Sequence, residues 1–434
     1  MKRTSIVALL CSLLAVFASD VGAQESPLSF RRAIELALKN SVASYIAKED
    51  VQRAKSDYLQ SRDLFLPQIT VGSGLAYSNG FPLSIEGSAP SIFDVNSQQF
   101  LVNFAQRQFI KAARADVGTS EAQSADKRNE IIMETALDYI QLDLLGSSQS
   151  VQREQQQVAA KLEDIVNQRV QAGIDSSLEL TRAKLNSARA RLQIAESQTT
   201  MDQLRLRLSQ LTGLPQNEIQ TSTETIPEFP SLPQDRDLSA EAVQNSPAVR
   251  MADQIAVSKE FRAKGEERQL LPSVDLVSHY AVLTKYNNYQ EFFSHFQRNN
   301  VVFGVAIRFP FFNSAQKEVA KTARAEAIKA QKEAQNVREQ VSSETLRQQH
   351  SIEQFTAARD VAKLEHQLAQ ADLETMQERI QSGGATLKEE EIARITEHER
   401  YAAYLNSSVD LDKAQIQILR QIGQLESWAL GARP

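Results

Sequence analysis

Between Pro310 and Gly383 the chain contains neither proline nor glycine. Proline lacks the backbone donor and glycine adds backbone entropy, so these are the residues that end helices. A helix over 316–382 would rise about 1.5 Å per residue, roughly 100 Å in all, against about 30 Å for a small domain. Gln106 to Ala172 is as long and is interrupted only by Gly118 and Gly146. Helices of this length build a rod or a wall. Composition agrees, with 15 glycines, 12 prolines and 6% aromatic residues in 434.

The chain is written twice. Ala37-Leu-Lys-Asn-Ser41 matches Ala242-Val-Gln-Asn-Ser246 at an offset of 205, which also carries Leu66-Pro67 onto Leu271-Pro272. At an offset of 210, Ala113 to Asp116 matches Ala323 to Glu326, Arg169 to Gly173 matches Arg379 to Gly383, and Gly213 matches Gly423. The five extra residues fall between Phe309 and Thr322. Repeats of this kind set the architecture before any motif does. The first covers 24–214: helices over Leu28 to Asn40 and Val42 to Leu64, a β-hairpin at 67–105, a long helix at 106–172 and a return helix at 175–213. The second covers 238–424, with its hairpin at 272–310, long helix at 316–382 and return helix at 386–423. A proline-rich linker at 215–237 joins them, and 425–434 is a tail. Val361, Leu364, Leu368 and Ala371 on the outbound helix, and Leu185, Ala188, Leu192 and Ala195 on the return, fall at coiled-coil spacing.

Residues 1–23 read as a signal peptide: Lys2-Arg3, an apolar run from Ile6 to Phe17, then Val21-Gly22-Ala23 before the cut. Cys11 as a lipid attachment site would need a small residue where Leu10 stands. Cys11 is the single cysteine, so the exported chain has no disulfide framework or thiolate metal site. The 48 basic and 54 acidic residues give no broad basic surface, which argues against nucleic acid as a partner. No later stretch has the roughly 18 consecutive apolar residues of a spanning helix.

After Pro67 and Pro272 the apolar period changes from 3.6 to 2. Ile69, Val71, Leu75 and Tyr77 alternate with small or polar residues, as do Val274, Leu276, Tyr280 and Val282. Phe100, Val102 and Phe104 match Val305, Ile307 and Phe309, with Val301 and Phe303 extending the second set. A half-buried soluble sheet gives the same alternation. Strands of about ten residues in two matched pairs, with no third layer to cover them, fit a membrane barrel, whose lipid face is Val301, Phe303, Val305, Ile307 and Phe309. Arginine at Val305 is then expected to damage assembly and arginine at Ala306 to be tolerated. Four strands cannot close a barrel, and open edges in lipid leave backbone groups unpaired. Two, three or more copies must share one.

The ordered duplication resembles the TolC-like outer membrane efflux protein family over essentially the whole exported chain. It is carried by Ala37 to Asn40 with Leu66-Pro67, by Ala242 to Pro247 with Leu271-Pro272, by Phe309-Pro310-Phe311-Phe312 at the strand-to-helix passage, and by the tips Arg169 to Gly173 and Arg379 to Gly383. The resemblance implies a mainly α fold with a membrane β-barrel part: a homotrimer whose twelve strands form one barrel and whose twelve helices form a periplasmic tunnel. It implies a passive exit duct of a tripartite efflux or type I secretion system in the outer membrane, served by a periplasmic adaptor and an inner-membrane transporter. A soluble exported coiled-coil scaffold or periplasmic adaptor is the other reading. The copies differ at Val42 against Pro247 and Ala105 against Pro310.

The sequence calls for no catalysis and no cofactor: no phosphate loop, serine elbow or paired catalytic carboxylates appear. His279, His295, His350, His366 and His398 lack ligand spacing, so no metal is expected. Glu389, Glu390 and Glu391 follow a helix tip, where carboxylates favour a helix N-terminus as a solvated first turn. The resemblance places Glu389, with Glu179 in the first copy, at the family's first acidic position. An acidic aperture ring would then select cations, although the family's second acidic position is Ile392. Gly173 and Gly383 suit tight turns; the resemblance adds adaptor docking there through Arg169 and Arg379. Tyr286, Tyr289, Phe292, Phe293 and Phe296 read as an external loop near the membrane interface.

Overall fold

The structure, a computed structural model, describes residues 27–73, 91–230, 237–283, 297 and 299–431. The signal segment, Leu75, Tyr77, Pro233, His295 and the aromatic segment from Tyr286 to Phe296 lie outside the described residues. In chain order the elements are α1 (Phe30–Asn40), α2 (Val42–Asp63), β1 (Gln68–Gly72), β2 (Ser91–Val102), α3 (Phe104–Gln171) and α4 (Ser177–Thr212). Then come α5 (Leu238–Asn245), α6 (Pro247–Arg268), β3 (Ser273–Leu283), β4 (Asn299–Arg308), α7 (Ser314–Gln381), α8 (Leu387–Gln421) and the short α9 (Leu425–Leu430). The order helix, helix, strand, strand, long helix, return helix occurs twice, and α3 and α7 are 68 residues each.

Local chemistry sets the boundaries. Each long helix starts two residues before the sequence expectation because asparagine caps it: Gln106 N–H donates to Asn103 Oδ1 at 2.9 Å, and Gln316 N–H to Asn313 Oδ1 at 3.0 Å. Gly118 and Gly146 leave α3 unbroken. Gly118 is instead a close-approach site, where an added Cβ would lie 3.0 Å from Gln254 Oε1. Ser41 and Ser246 end α1 and α5 in extended backbone, their N–H groups donating to Ala37 O and Ala242 O. That is the shared geometry behind the matched Ala-to-Ser pentapeptides. Among the described residues no helix is long and apolar enough to cross a membrane.

The chain divides into two compact units. The first comprises residues up to Ser44, Arg128–Arg236 and Arg347 onward. Its core is aromatic: Phe30 and Tyr139 are fully buried and meet edge to face at 5.4 Å, Phe30 meets Trp428 at 5.4 Å, and Trp428 stacks on Phe229 at 4.8 Å. The Tyr139 hydroxyl donates to Leu28 O at 2.6 Å and accepts from Ser222 N–H at 2.9 Å. Part of the 215–237 linker is thereby bound to this core. It carries two 3-10 turns, Gln216–Glu218 and Thr223–Thr225, with Ile219 buried.

Two carboxyls of this unit are held against burial. Asp138 on α3 and Asp412 on α8 are each pushed up to about 6, desolvation outweighing Arg207 and Arg359 respectively. A carboxyl with a raised folded pKa keeps its proton in the native state after the unfolded chain has released it. Stability is therefore undiminished below about pH 4, falls as pH rises from about 4 to 6, and carries the full penalty above that. Asp412→Asn removes the charge, so it should raise the midpoint of heat unfolding at pH 7.5 and leave it nearly unchanged at pH 4. A shift independent of pH would sink this account.

The second unit comprises Tyr45–Lys127 and Asp237–Leu346. It holds one antiparallel sheet in the order β1-β2-β3-β4. Ile69 pairs with Ser97, Ser97 with Ser278 and Ser278 with Phe303, so these share one face. Gln98, Val277 and Gly304 share the other. One expectation is corrected. Phe100, Val102 and Phe104 do not repeat the pattern of Val305, Ile307 and Phe309. Phe100 pairs with Asp275 on the polar face, a one-residue shift of the β2–β3 register then puts Val102 opposite Val274 on the apolar face, and Phe104 already begins α3. An inserted residue in one strand moves every following side chain to the other face.

Candidate functional site: bare sheet face and helix tips

On β4, Val301, Phe303, Val305 and Ile307 point from one face and are 57–73% exposed. Phe309, just past the strand, is as bare. Apolar side chains of this size in a row, with no covering layer, have no reason to face water. The opposite face carries Asn300, Val302, Gly304, Ala306 and Arg308 on β4, with Asp94, Asn96 and Gln98 on β2. It also holds Asp275, which is fully buried and bonded to Arg308 Nη2 at 3.2 Å and Gln98 Nε2 at 3.4 Å. Sequence alternation found the apolar face and missed Asp275, whose partners come from two other strands. β1 and β4 are the edges of this four-stranded sheet.

The two tips turn by the same device. Gly173 and Gly383 adopt φ of 74° and 77°, and Ile174 N–H and Gly384 N–H return to the carbonyls of Arg169 and Arg379 at 2.8 and 2.7 Å. Ser176 and Thr386 then cap the return helices. The side chains diverge. Arg169 forms a fork with Asp175, Nε to Oδ2 at 2.7 Å and Nη2 to Oδ1 at 3.1 Å, and that bond holds Asp175 below the usual carboxylate range. The matched position in the second copy is Ala385. Arg379 instead donates to Gly384 O at 3.0 Å. Asp175 escaped the sequence reading, although an acid six residues after an arginine across a turn was the available signal.

The four acidic candidates separate by partner. Glu179 receives Arg182 at 2.9 Å and Glu390 receives Arg394 at 2.7 Å, both neutralised along their own helices. Glu391 accepts from the neutral Asn186 amide at 2.7 Å. Glu389 closes a capping box, accepting from Thr386 N–H at 2.7 Å and Thr386 Oγ1 at 2.9 Å, which holds its carboxyl below the ordinary value. Neither Glu389 nor Glu391 has a basic side chain in ion-pair contact among the described side chains, although Arg379 lies near enough to favour the Glu389 carboxylate. The solvated first turn and the charged tip describe the same atoms.

Along the helices, Val361, Leu364 and Leu368 on α7 and Leu185 and Leu192 on α4 are exposed in the single chain. The seam expected from heptad spacing therefore does not close within the chain. On α7 and α8, His366 Nε2 and His398 Nδ1 approach the two oxygens of Glu397 at 2.9 and 2.6 Å. Burial pushes His398 below its ordinary value, with Glu397 opposing. Among the described residues no His, Cys, Asp or Glu group is arranged to hold a metal.

Two helices of 68 residues and an open antiparallel sheet with a bare apolar face define the fold. Residues 33–214 match the family described as outer membrane efflux protein. Over 339 residues the chain is 23% identical to the cobalt-zinc-cadmium resistance protein CzcC of Cupriavidus metallidurans, covering 75% of each. The Campylobacter jejuni CmeC outer membrane channel has a similar fold, with a TM-score of 0.77 at 16% identity over 91% of this chain and 86% of that one. The outer membrane protein VceC from Vibrio cholerae gives 0.70 at 19% identity over 90% and 96%. Over residues 33–214 the chain is similar to the outer membrane efflux protein family, and its likeness to the solved structures is one of fold. These likenesses support a place in the outer membrane, with a helical tunnel part in the periplasm.

Proposed function

We propose that three copies of this chain form a passive exit duct, fed by an inner-membrane transporter through a periplasmic adaptor. The observation carrying this reading is the unclosed sheet: four strands with a bare face and two free edges need sister strands, and the smallest such barrels have eight. Three copies supply twelve. The exposed leucine seams on α4 and α7 would meet their partners in neighbouring copies, completing a helical wall. Adaptor docking falls to the tips, where Arg169, Gly173, Arg379 and Gly383 present turns of one shape with different side chains. The repeat boundaries near 214 and 238 divide each subunit into two equivalent spans of that wall.

Glu389, with Glu391 beside it, gives the tip its unneutralised charge, while Glu179 and Glu390 are balanced by their arginines. Within a Debye length of about 8 Å such charges enrich cations. Divalent metal cations are the cargo class that this charge and the CzcC relative favour. The purified protein in a planar bilayer should give discrete conductance steps with a cation-selective reversal potential. Glu389→Gln should move that potential toward zero, and zinc chloride gradients should support current. A trimer that never conducts would overturn the duct; conductance with equal reversal potentials in both proteins would overturn the ring alone.

A further inference from the structure

About three turns into α8, Glu397 stands between two imidazoles. Its Oε1 lies 2.9 Å from Nε2 of His366 on α7, and its Oε2 lies 2.6 Å from Nδ1 of the adjacent His398. The same Nδ1 is 2.7 Å from the side-chain amide of Gln155 on α3. All four residues belong to the first unit. An ionised carboxylate only accepts, so the His398 proton sits on Nδ1 and Nε2 is left with a bare lone pair. The Gln155 amide, turned over, offers its oxygen to that same proton. His398 Nε2 is buried and has no hydrogen-bond partner among the described residues.

The two joints that meet at Glu397 differ in their other support. Between α7 and α8, the His366 ring packs against Tyr401 at 5.1 Å and Tyr404 at 6.3 Å, and Arg400 reaches Glu365 at 2.8 Å. A proton added to His366 makes its bond to Glu397 charge-assisted and strengthens that joint. Between α3 and α8, His398 borders a cavity of about 440 Å³ that α3, α4 and α8 share, so the seam beside it is loosely filled. The charged groups around that cavity are Lys161 on α3, Arg189 on α4, and Glu390, Glu391, Arg394 and Glu399 on α8. Glu390 is taken up by Arg394 and Glu391 by Asn186. A proton added to His398 enters at Nε2, where no acceptor waits. Burial holds its pKa below the ordinary histidine value against the pull of Glu397, and Arg394 and His366 add to the effect of burial. A base depressed in this way keeps its native contacts above that pKa and loses them as pH falls through it.

We propose that His398 is a proton-sensing joint. Neutral, it ties α8 to α3 through Gln155; protonated, it leaves that seat, and α8 parts from α3 while staying on α7. Each pH unit below the folded value favours the parted form about tenfold. The inference concerns contacts within one chain and does not rest on the duct or the trimer.

The test measures distances between spin labels in the full chain, in a Cys11→Ser background that removes the single native cysteine. Labels go on Ala160→Cys of α3 and Ala403→Cys of α8, both exposed positions, with labelled chains diluted by unlabelled ones so that the distance is read within one chain. One narrow distance is expected at pH 7.5, and a second, longer population at about pH 5. His398→Gln, which takes up no proton, should keep the narrow distance at both. Asp412 also takes up a proton in this range, so Asp412→Asn is the control and should part in acid as the parent does. A second pair, Ala358→Cys of α7 with Ala403→Cys, should hold its distance throughout. An unchanged α3–α8 distance in acid would overturn the proposal, as would parting that survives His398→Gln or is lost in Asp412→Asn. Parting of α7 from α8 as well, which marks general acid unfolding, would overturn it too.

Discussion

Val305→Arg is expected to remove the protein from the outer-membrane fraction, and Gly304→Arg, one residue away, to leave it there. Val305 lies well inside β4 on the bare face, opposite Leu276. Arginine facing lipid near the bilayer midplane costs about 2–4 kcal/mol, in each subunit of any assembly. Native stability is only about 5–15 kcal/mol, so the loss is a large part of what holds the fold. Gly304 belongs to the opposite face, and a side chain built there meets nothing within 4 Å. It is a cleaner control than Ala306, which sits opposite the buried Asp275. The readout is abundance in the outer-membrane fraction together with an SDS-resistant oligomer band on an unheated gel. Equal abundance of the two variants would mean that lipid does not contact Val301, Phe303, Val305 and Ile307.

That contrast depends on a pattern the sequence carries openly. Alternation along β4 is local, so period 2 reveals which side chains share a face without knowledge of the partner strand. The long helices are equally legible, because a stretch free of proline and glycine needs no tertiary information to be recognised. Three features resisted for one reason: they depend on pairings between distant segments. The register shift between Phe100 and Val102 exists only relative to Asp275 and Val274. Asp275 reads as an ordinary polar residue of a strand until Arg308 and Gln98 arrive from the neighbouring strands. The leucine seams of α4 and α7 show correct coiled-coil spacing, but spacing does not say whether the partner helix belongs to the same chain. At the acidic tip the residues were identifiable and their hydrogen bonds were not. Thr386 and Glu389 form a capping box whose three-residue spacing is visible in the sequence, and that box holds the Glu389 carboxyl below its ordinary value.

Phe30→Ala should produce the largest loss of stability of any core substitution in the first unit. The ring is fully buried, touches Tyr139 and Trp428 edge to face, and belongs to α1, a helix of only 11 residues. So short a helix is not stable on its own and relies on its packed face. Deleting a buried phenylalanine ring costs about 3–5 kcal/mol, and aromatic pairs contribute about 0.5–1.5 kcal/mol each beyond area. The consequence reaches past the cavity. α1 also carries Asn40, whose amide donates to Thr212 O at 2.6 Å and so closes the end of α4 beside Gly213. Phe30 N–H donates to Thr225 Oγ1 at 3.0 Å, which fixes the second 3-10 turn of the linker. A loosened α1 should therefore release the linker before the long helices respond. Heat unfolding of the detergent-solubilised variant should show a lowered midpoint, and limited proteolysis should cut within residues 215–230 before it cuts α3. Phe30→Leu, which keeps an apolar side chain in the site, should recover much of the loss. If alanine and leucine behave alike and proteolysis begins in α3, the aromatic cluster is not what anchors the linker.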